Sequence, residues 1–507
     1  MPPERLCHLP DPAVRKTSLV IPRHSRAGGN PVRLWLCRSL CVVALLFALP
    51  LGADTLPKSI QLALAQARIP ESAIAVVVEP VEGNGAQFSH NGNVAMNPAS
   101  VMKLLTAHAA LELLGPAASW RTGFWAEIEP DEDGQLRGNL YLKGNGDPAL
   151  TVEKFWRLLR QLRARGVKTI TGDLMLDRSA FIVPAGNPGA FDKRPLRAYN
   201  TLPDALLVDA FALSFSLRPE EEKARFLVDI PNDNIAIDAK MTLGQGGCDG
   251  WRERLTIRQT PGRLEIAGEF PKSCGERSLL LAPLKPDAYL DGLFRALWRE
   301  LGGSLKGKTR SGTTPPDSIL LAAQNSPPLA DIVRDMNKWS NNVSARQIFL
   351  ALGEGTAKSE AASAKRVANW LSDVGLDFPE LVLENGSGLS RLERISARHM
   401  NQILVRAWRG ANMPDFLASL PIAGVDGTMQ KRLTGTVAMG RARFKTGLLD
   451  HVKTAAGYVQ DVRGRRYAMT IFINHPNAGS GQGVMDALIR QVAEGSFPEQ
   501  GTDKTGN

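Results

Sequence analysis

The distribution of hydrophobic residues changes twice along this chain, and these changes limit the folds it can adopt. Helical periodicity mixed with short apolar strands occurs near both ends, whereas alternating, hairpin-like stretches such as 123–144 and 251–270 predominate between Trp120 and about residue 310. At 507 residues the chain is also too long to fold around a single core. We therefore predict an α/β (α+β) protein whose two ends build one αβ domain, with a β-rich block inserted between them.

The predicted domain boundaries follow these changes. The αβ domain takes residues 54–118 and 312–496, the inserted β-rich domain or domains take 119–311, and 497–507 form a flexible tail. Within the αβ domain, apolar periodicity and turn residues predict a strand hairpin, a helix, two further helices, two antiparallel strands and a final helix. These elements lie at 72–92, 96–115, 327–339, 343–355, 440–461 with 465–475, and 484–495.

Residues 1–53 have the composition of an export signal. Arginine residues precede a twelve-residue apolar run at 40–51, and the small residues Gly52 and Ala53 follow it as a cleavage site. The run is short for a transmembrane helix, so a cleaved signal peptide is favoured and an uncleaved anchor is the alternative. A periplasmic or other extracytoplasmic protein is predicted. The length of the segment before the run raises the hypothesis that translation starts downstream of Met1.

Charge and histidine content exclude several functional classes. Half of the formal net charge of +10 lies in residues 1–53, and the remaining +5 forms no basic run, so no nucleic-acid partner is predicted. The seven histidines are scattered without the spacing of metal ligands, and neither a metal nor another cofactor is predicted. Membrane association is expected only through an uncleaved signal, and the oligomeric state is left open.

Cys248 and Cys274 are the cysteines that remain once the signal is removed. An even pair in an exported chain predicts a disulfide, which would close a loop of about 26 residues and stabilise the fold by roughly 3 kcal/mol. Two buried free thiols are the alternative.

Ser100 and Lys103 form the only S-x-x-K sequence in the chain, at the start of a predicted helix. Residues three apart on a helix share a face, so the lysine amine can reach the serine hydroxyl and act as its base. The backbone N–H groups at a helix start also favour an oxyanion. For this motif alone, an ordinary exposed helix turn is the alternative.

Two further short motifs follow along the chain. Ser340-Asn341-Asn342 falls between two predicted helices, where a turn can direct side chains into a cleft. Lys445-Thr446-Gly447 falls on a predicted strand, and its glycine is expected to leave room for a ligand against the backbone. The second Lys-Thr-Gly copy, at 504–506, lies in the polar tail and is interpreted as chance, as is Ser89-His90-Asn91 in the first hairpin.

The order S-x-x-K, S-x-N, K-T-G is the signature of penicillin-recognising serine acyltransferases. Ser100 lies 240 residues before Ser340. With this long insertion the chain resembles the D-alanyl-D-alanine carboxypeptidase/endopeptidase family of low-molecular-mass penicillin-binding proteins, peptidase family S13. The resemblance covers about residues 60–495 and includes GDPAL, GDLMLDRSAF, YNTLPDALLV, NGSGLSR and LPIAGVDGTMQKRL. It implies a penicillin-binding-protein/β-lactamase-like transpeptidase domain, with an antiparallel sheet flanked by helices, and a large β-rich insertion.

The resemblance also implies an activity. The substrates would be peptidoglycan stem peptides that end in D-Ala-D-Ala, or their D-Ala-diaminopimelate cross-links, and β-lactams would be covalent inhibitors. Ser100 would be the nucleophile and Lys103 its base, with a pKa lowered by burial and by nearby Lys445. Ser340 would relay a proton to the leaving amine.

The remaining implied roles are substrate contacts. Asn342 would bind an amide of the substrate, Lys445 would add positive charge, and Thr446 would bind the terminal carboxylate, with Gly447 as a further substrate contact. The backbone N–H groups of Ser100 and Leu448 would form the oxyanion hole.

Two positions depart from the family pattern. Leu448 follows the Lys-Thr-Gly motif where Ser or Thr is usual, which removes a hydroxyl near the substrate carboxylate and predicts weaker carboxypeptidase activity. Asn385 stands where Asp is common, in a loop to which we assign no chemistry. The balance between carboxypeptidase and endopeptidase activity is left open, as is the role of the insertion.

Two other functions compete with this interpretation. A serine β-lactamase shares the three motifs, but it needs a general base for fast deacylation and is a much shorter chain. A non-catalytic cell-envelope binding protein on the same scaffold is the second alternative, and it is weakened because every side chain of the mechanism is present.

Overall fold

A computed structural model describes residues 55–83, 88–221 and 223–497. The predicted signal peptide, nearly all of the predicted tail and the second Lys-Thr-Gly copy lie outside these ranges. The described residues belong to one compact unit, Ala53–Asn507, and the predicted boundaries at 119 and 312 stay a prediction. Within the described ranges, no helix is both long enough and apolar enough to cross a bilayer.

The described residues form ten α-helices. In chain order these are α1 Lys58–Gln66, α2 Lys103–Leu113, α3 Val152–Ala164, α4 Pro286–Glu300, α5 Leu329–Trp339, α6 Asn342–Ala351, α7 Glu360–Asp373, α8 Ala397–Arg409, α9 Met413–Ser419 and α10 Gln482–Ala493. Short 3₁₀ turns, among them Ala99–Met102 and Gly427–Met429, connect several of them.

The described residues also form twenty-one strands. They are β1 Ile74–Pro80, β2 Phe88–His90, β3 Ala95–Met96, β4 Arg121–Ala126, β5 Gln135–Leu136, β6 Leu140–Gly144, β7 Thr169–Ile170, β8 Leu174–Asp177, β9 Leu213–Pro219, β10 Ala224–Val228, β11 Ala236–Gly244, β12 Leu255–Thr260, β13 Arg263–Pro271, β14 Arg277–Leu281, β15 Ser304–Leu305, β16 Thr309–Ser311, β17 Ile319–Asn325, β18 Ile395–Ser396, β19 Ala442–Leu449, β20 Val452–Gln460 and β21 Arg466–Asn474.

A five-stranded antiparallel sheet joins the two ends of the chain. Its order is β19-β20-β21-β1-β2, and β1 pairs with β21 from Ile74 opposite Ile473 to Pro80 opposite Tyr467. Both faces of this sheet are covered, since alternate residues of β1 enter two different cores. One core includes α2, α6 and α8, and the other includes α1 and α10. The predicted fold class, an antiparallel sheet flanked by helices with a large insertion, is confirmed.

One predicted element is wrong in detail. The segment 440–461 was expected to be a single strand, but it contains two, β19 and β20, which pair antiparallel. The chain reverses at Asp450 and His451, and His451 has a φ of 66°. The turn was missed because it lacks the Gly or Asn that usually marks such a left-handed position. Lys445 therefore lies on an edge strand that leads directly into a tight turn.

The segment between the two halves of this domain contains most of the remaining strands. They form a five-stranded sheet of order β16-β8-β6-β4-β17 and three three-stranded sheets, packed with α3 and α4 around one core. Strand β17 pairs with β4, so this five-stranded sheet extends beyond residue 311. A disulfide joins Cys248 to Cys274, whose Cα atoms are 4.8 Å apart, between the ends of the parallel strands β11 and β13.

Candidate active site

Ser100 lies in the 3₁₀ turn Ala99–Met102, and Lys103 is the first residue of α2. The predicted helix at 96–115 therefore begins as a 3₁₀ turn, in which residues i and i+3 eclipse. This brings Lys103 Nζ within hydrogen-bond distance of Ser100 Oγ, at 3.0 Å. The preceding residue, Ala99, has a left-handed φ of 46°, a strained conformation for a residue with a Cβ.

The Lys103 side chain is completely buried, with 0% of its surface exposed. Besides Ser100, its amine donates hydrogen bonds to Asn342 Oδ1 at 2.7 Å and to the Ser387 carbonyl oxygen. Burial lowers the pKa of Lys103 well below its ordinary value, and positive charge on Lys445 lowers it further. The amine next to Ser100 is thus disposed to be neutral and able to accept a proton.

The Ser340-Asn341-Asn342 segment forms the corner between two helices. Ser340 ends α5 in a left-handed conformation with φ 59°. Asn341 caps α6, since its side chain accepts hydrogen bonds from the backbone N–H groups of Val343 and Ser344. The middle residue of the motif therefore fixes the turn, while the outer residues contact the two motif lysines, Asn342 contacting Lys103 and Ser340 contacting Lys445.

Lys445 is the second fully buried lysine of this site, also 0% exposed. Its amine donates hydrogen bonds to Ser340 Oγ at 2.8 Å and to the Thr446 carbonyl at 2.6 Å. Burial lowers the pKa of Lys445 to about 7. The Thr446 hydroxyl donates to the Thr428 hydroxyl at 2.9 Å, whereas Leu448, on the same face of the strand, is 65% exposed.

The reason for the glycine at position 447 differs from the predicted one. A Cβ at Gly447 would lie 2.9 Å from both the Pro98 carbonyl oxygen and the Ala99 Cβ, and 2.2 Å from Thr454 Oγ1. The glycine therefore allows β19 to pack against the turn that carries Ser100. The space beside Gly447 that we expected a ligand to use is instead filled by close contact with the turn that carries Ser100.

Sequence reasoning missed the contribution of the NGSGLSR loop. Its Ser387 carbonyl accepts a hydrogen bond from Lys103, and its Gly386 carbonyl accepts one from Thr106 Oγ1 at 2.6 Å. Asn385 accepts hydrogen bonds from the N–H and hydroxyl of Ser387, which keep the loop in shape. The loop contacts Lys103 through backbone oxygens, and the only sequence signal for it was the family resemblance. Thr428, whose hydroxyl accepts a hydrogen bond from Thr446, was also missed. Its only sequence signal was likewise the family resemblance, which includes the segment LPIAGVDGTMQKRL.

A cleft of about 1100 Å³ adjoins the Ser340–Asn342 corner. Its wall includes this corner and residues from the inserted segment, among them Trp156, Tyr199 and Asp209. The described residues contain no group of three or more His, Cys, Asp or Glu side chains placed to hold a metal ion. The site thus combines a serine hydroxyl and two buried lysine amines with a Ser340–Asn342 corner that lines an open cleft, which is an arrangement suited to acyl transfer.

Comparison with known proteins identifies the family. The model of the D-Ala-D-Ala carboxypeptidase 3 (S13) family matches residues 56–494, which is most of the chain. The chain belongs to this family. The predicted assignment to S13, and with it the prediction of a serine-type D-Ala-D-Ala carboxypeptidase hydrolase, is confirmed.

Individual relatives of this S13 protein agree with the assignment. The D-alanyl-D-alanine carboxypeptidase of Actinomadura sp. (strain R39) is 31% identical over 445 residues, which cover 84% of this chain and 82% of that protein. The D-alanyl-D-alanine carboxypeptidase DacB of Haemophilus influenzae is 27% identical over 420 residues, 81% of this chain and 88% of that protein. The crystal structure of penicillin binding protein 4 (dacB) from H. influenzae superposes with a TM-score of 0.70 at 26% identity, covering 85% of this chain and 99% of that chain.

Proposed function

We propose that this S13 protein hydrolyses peptidoglycan stem peptides that end in D-Ala-D-Ala, and the D-Ala-diaminopimelate cross-links between them, through an acyl-enzyme at Ser100. The observation that carries the proposal is the 3.0 Å contact between Ser100 Oγ and the buried Lys103 amine. A serine hydroxyl is a weak nucleophile until a base accepts its proton, and a lysine with a lowered pKa is such a base.

The first half-reaction forms the acyl-enzyme. Ser100 Oγ attacks the carbonyl carbon of the penultimate D-Ala while Lys103 Nζ takes the hydroxyl proton. The C–N bond then breaks, and the proton passes through Ser340 to the leaving amine, which departs as D-Ala or as the cross-linked peptide. Lys445 donates to Ser340 Oγ at 2.8 Å, which leaves the hydroxyl hydrogen of Ser340 free to be donated to that amine.

The substrate is held by groups on both sides of Ser100. Lys445 and the Thr446 hydroxyl bind the terminal carboxylate, and Asn342 binds an amide of the stem peptide. The backbone N–H groups of Ser100 and Leu448 stabilise the oxyanion of the tetrahedral intermediate. In the second half-reaction, water with Lys103 as base hydrolyses the ester. A β-lactam ring opened by Ser100 leaves no departing group and blocks this step, and a structure of the H. influenzae relative is described as complexed with a β-lactam.

The site is tested by labelling with a fluorescent penicillin and mapping the labelled peptide. We expect label on Ser100 in the wild-type protein and none in Ser100→Ala. Lys445→Ala should lose most of the labelling rate. The second Lys-Thr-Gly copy provides the matched control, since Lys504→Ala removes the same side chain from the same tripeptide and should label normally. Label on another residue, or equal loss in the two lysine variants, would contradict the assignment.

The substrate is tested with two soluble muropeptides, a pentapeptide that ends in D-Ala-D-Ala and a cross-linked dimer. Because Leu448 provides no hydroxyl, we expect the rate of D-Ala release to rise in Leu448→Ser, with a smaller change in dimer cleavage. Rapid turnover of a chromogenic cephalosporin without either peptidase reaction would favour a β-lactamase instead.

The insertion is proposed to be a separate domain, 119–311, that positions the polymer beside the cleft. Trp156 and Asp209 of this segment share the cleft wall with Ser340, which supports the proposal. Trp156→Ala should slow release of peptides from intact sacculi while leaving cleavage of the soluble pentapeptide unchanged. Equal rates for wild type and variant on sacculi would argue against this role.

We also propose that the protein acts outside the cytoplasm, in the periplasm, after export by residues 1–53. The substrate class supports this location, because cross-linked peptidoglycan lies outside the cytoplasmic membrane. N-terminal sequencing of the mature protein from the periplasmic fraction is expected to begin after Ala53. A mature protein that retains the apolar run at 40–51 would point to the uncleaved anchor.

A further inference from the structure

A buried carboxylate lies behind the loop that contacts Lys103. The Glu393 side chain is 0% exposed, and its Oε1 accepts three backbone hydrogen bonds, from the N–H groups of Glu384 at 3.3 Å, Asn385 at 3.1 Å and Gly386 at 3.0 Å. Its other oxygen, Oε2, is buried and has no hydrogen-bond partner among the described residues. One carboxylate oxygen therefore anchors the start of the NGSGLSR loop.

The anchored loop is in direct contact with the two catalytic elements. Its Gly386 and Ser387 carbonyls accept hydrogen bonds from Thr106 and Lys103, both on α2. A Cβ at Gly388 would lie 1.9 Å from the Ala99 carbonyl oxygen, so the loop also packs tightly on the turn that precedes Ser100. A shift of the loop would move an acceptor of the Lys103 amine.

The charges around the Lys103 amine come from three elements. Lys445 on β19 and Arg346 on α6 are positive and disfavour the protonated amine, whereas Glu393 is negative and favours it. Arg346 is also buried and interacts with Glu393. The three N–H donors on Oε1 stabilise the ionised carboxylate against the effect of burial, which raises the pKa of Glu393.

We propose that Glu393 is a positioning residue of the acyl-transfer reaction: ionised, it holds the 385–388 loop against α2 and places a negative charge behind the Lys103 amine. This inference rests on the proposed function, because it assigns Lys103 as the base. The carboxylate acts through the loop and through its charge, and it does not contact the reacting atoms.

The test is the second-order rate constant for acylation by a fluorescent penicillin, measured as a function of pH. Glu393→Gln keeps an oxygen acceptor for the loop but removes the charge. Without that charge the Lys103 amine loses its proton at lower pH, so the acidic limb of the profile should move down by about 1 pH unit. Glu393→Ala, which also removes the acceptor, should lower the plateau about 10- to 100-fold.

Glu384→Gln is the matched control, since this exposed carboxylate lies in the same loop and only its backbone N–H contacts Glu393. It should keep the wild-type profile. A Glu393→Gln profile with a lower plateau and an unmoved midpoint would overturn the electrostatic part of the proposal and leave a structural role. An unchanged profile in both Glu393→Gln and Glu393→Ala would overturn the proposal as a whole.

Folding of each variant is checked by circular dichroism. If Glu393→Gln does not fold, Glu393→Asp is measured instead, because it keeps the charge and withdraws the carboxylate by one methylene. A reduced plateau with the wild-type midpoint is expected, and a wild-type plateau would overturn the positioning role. The proposed function is refuted by a different result. If the wild-type protein takes no label, or is labelled away from Ser100, then both the proposed function and the role of Glu393 are overturned.

Discussion

Gly447 is the position where the smallest change should have the largest effect on this site. In Gly447→Ala the added methyl group would lie 2.9 Å from the Pro98 carbonyl oxygen, about half an ångström closer than an ordinary carbon–oxygen contact, and 2.2 Å from Thr454 Oγ1. Thr454 cannot simply rotate away, because its hydroxyl donates to the Pro98 carbonyl at 2.7 Å in a buried position.

The expected magnitude follows from these two contacts. Overpacking of a buried site destabilises by about 1–3 kcal/mol, and loss of the Thr454 hydrogen bond adds about 1 kcal/mol. Alternatively, β19 moves outwards and carries Lys445 away from Ser340. A displacement of about half an ångström would lower the acylation rate roughly tenfold, since misplacement by 1 Å can cost about 100-fold.

The assay combines chemical denaturation with the rate of labelling by fluorescent penicillin. Gly138→Ala is the control, because a Cβ at Gly138 meets nothing within 4 Å. We expect Gly138→Ala to match the wild type and Gly447→Ala to lose stability, labelling rate or both. If Gly447→Ala labels as fast as the wild type with the same unfolding free energy, then β19 does not pack against the Ser100 turn as described.

Three other predictions concern pH, the disulfide and Thr428. The acylation rate should rise with pH as the Lys103 amine becomes neutral. It should fall above about pH 7, where Lys445 loses its charge because burial lowers its pKa to about 7. A labelling profile without this decline would contradict the prediction. Replacing Cys248 and Cys274 together with serine should lower the unfolding free energy by about 3 kcal/mol in denaturant titrations, with little change in labelling rate. Thr428→Val removes the partner of the Thr446 hydroxyl and should raise KM for a D-Ala-D-Ala peptide about fivefold at unchanged kcat.

The features that were predicted best from the sequence are those that depend on the type of side chain at each position. The period of apolar residues predicted the helices and placed both ends of the chain in one αβ domain, because both faces of its sheet are covered and only apolar residues fit there. The pairing of β1 with β21 itself was not predicted. The S-x-x-K motif specified a pair of side chains that the 3₁₀ turn brings within hydrogen-bond distance. The 3₁₀ geometry itself was not predicted, and Gly447 and Gly388, which pack closely against that turn, come from distant parts of the chain.

The features that were not predicted from the sequence depend mainly on backbone contacts and backbone conformation. Lys103 is held by the Ser387 carbonyl, and every residue has a carbonyl, so no residue type marks the contact. The turn at Asp450 and His451 was missed because its left-handed residue is a histidine. Glu393 is an ordinary glutamate in sequence, and only its burial beside three N–H groups distinguishes it from the exposed Glu384.

The two motif lysines show why the fold is needed to assign the roles. Both amines are fully buried, and burial lowers the pKa of each. Lys103 also faces Lys445 and Arg346, so its pKa is lowered further and its amine is the first to lose a proton as the pH rises. Near neutral pH a proton is therefore held more readily by Lys445, beside Ser340, than by Lys103, beside Ser100. In the proposed mechanism one residue type would thus supply both a base and a cation, because the charges around the two amines differ.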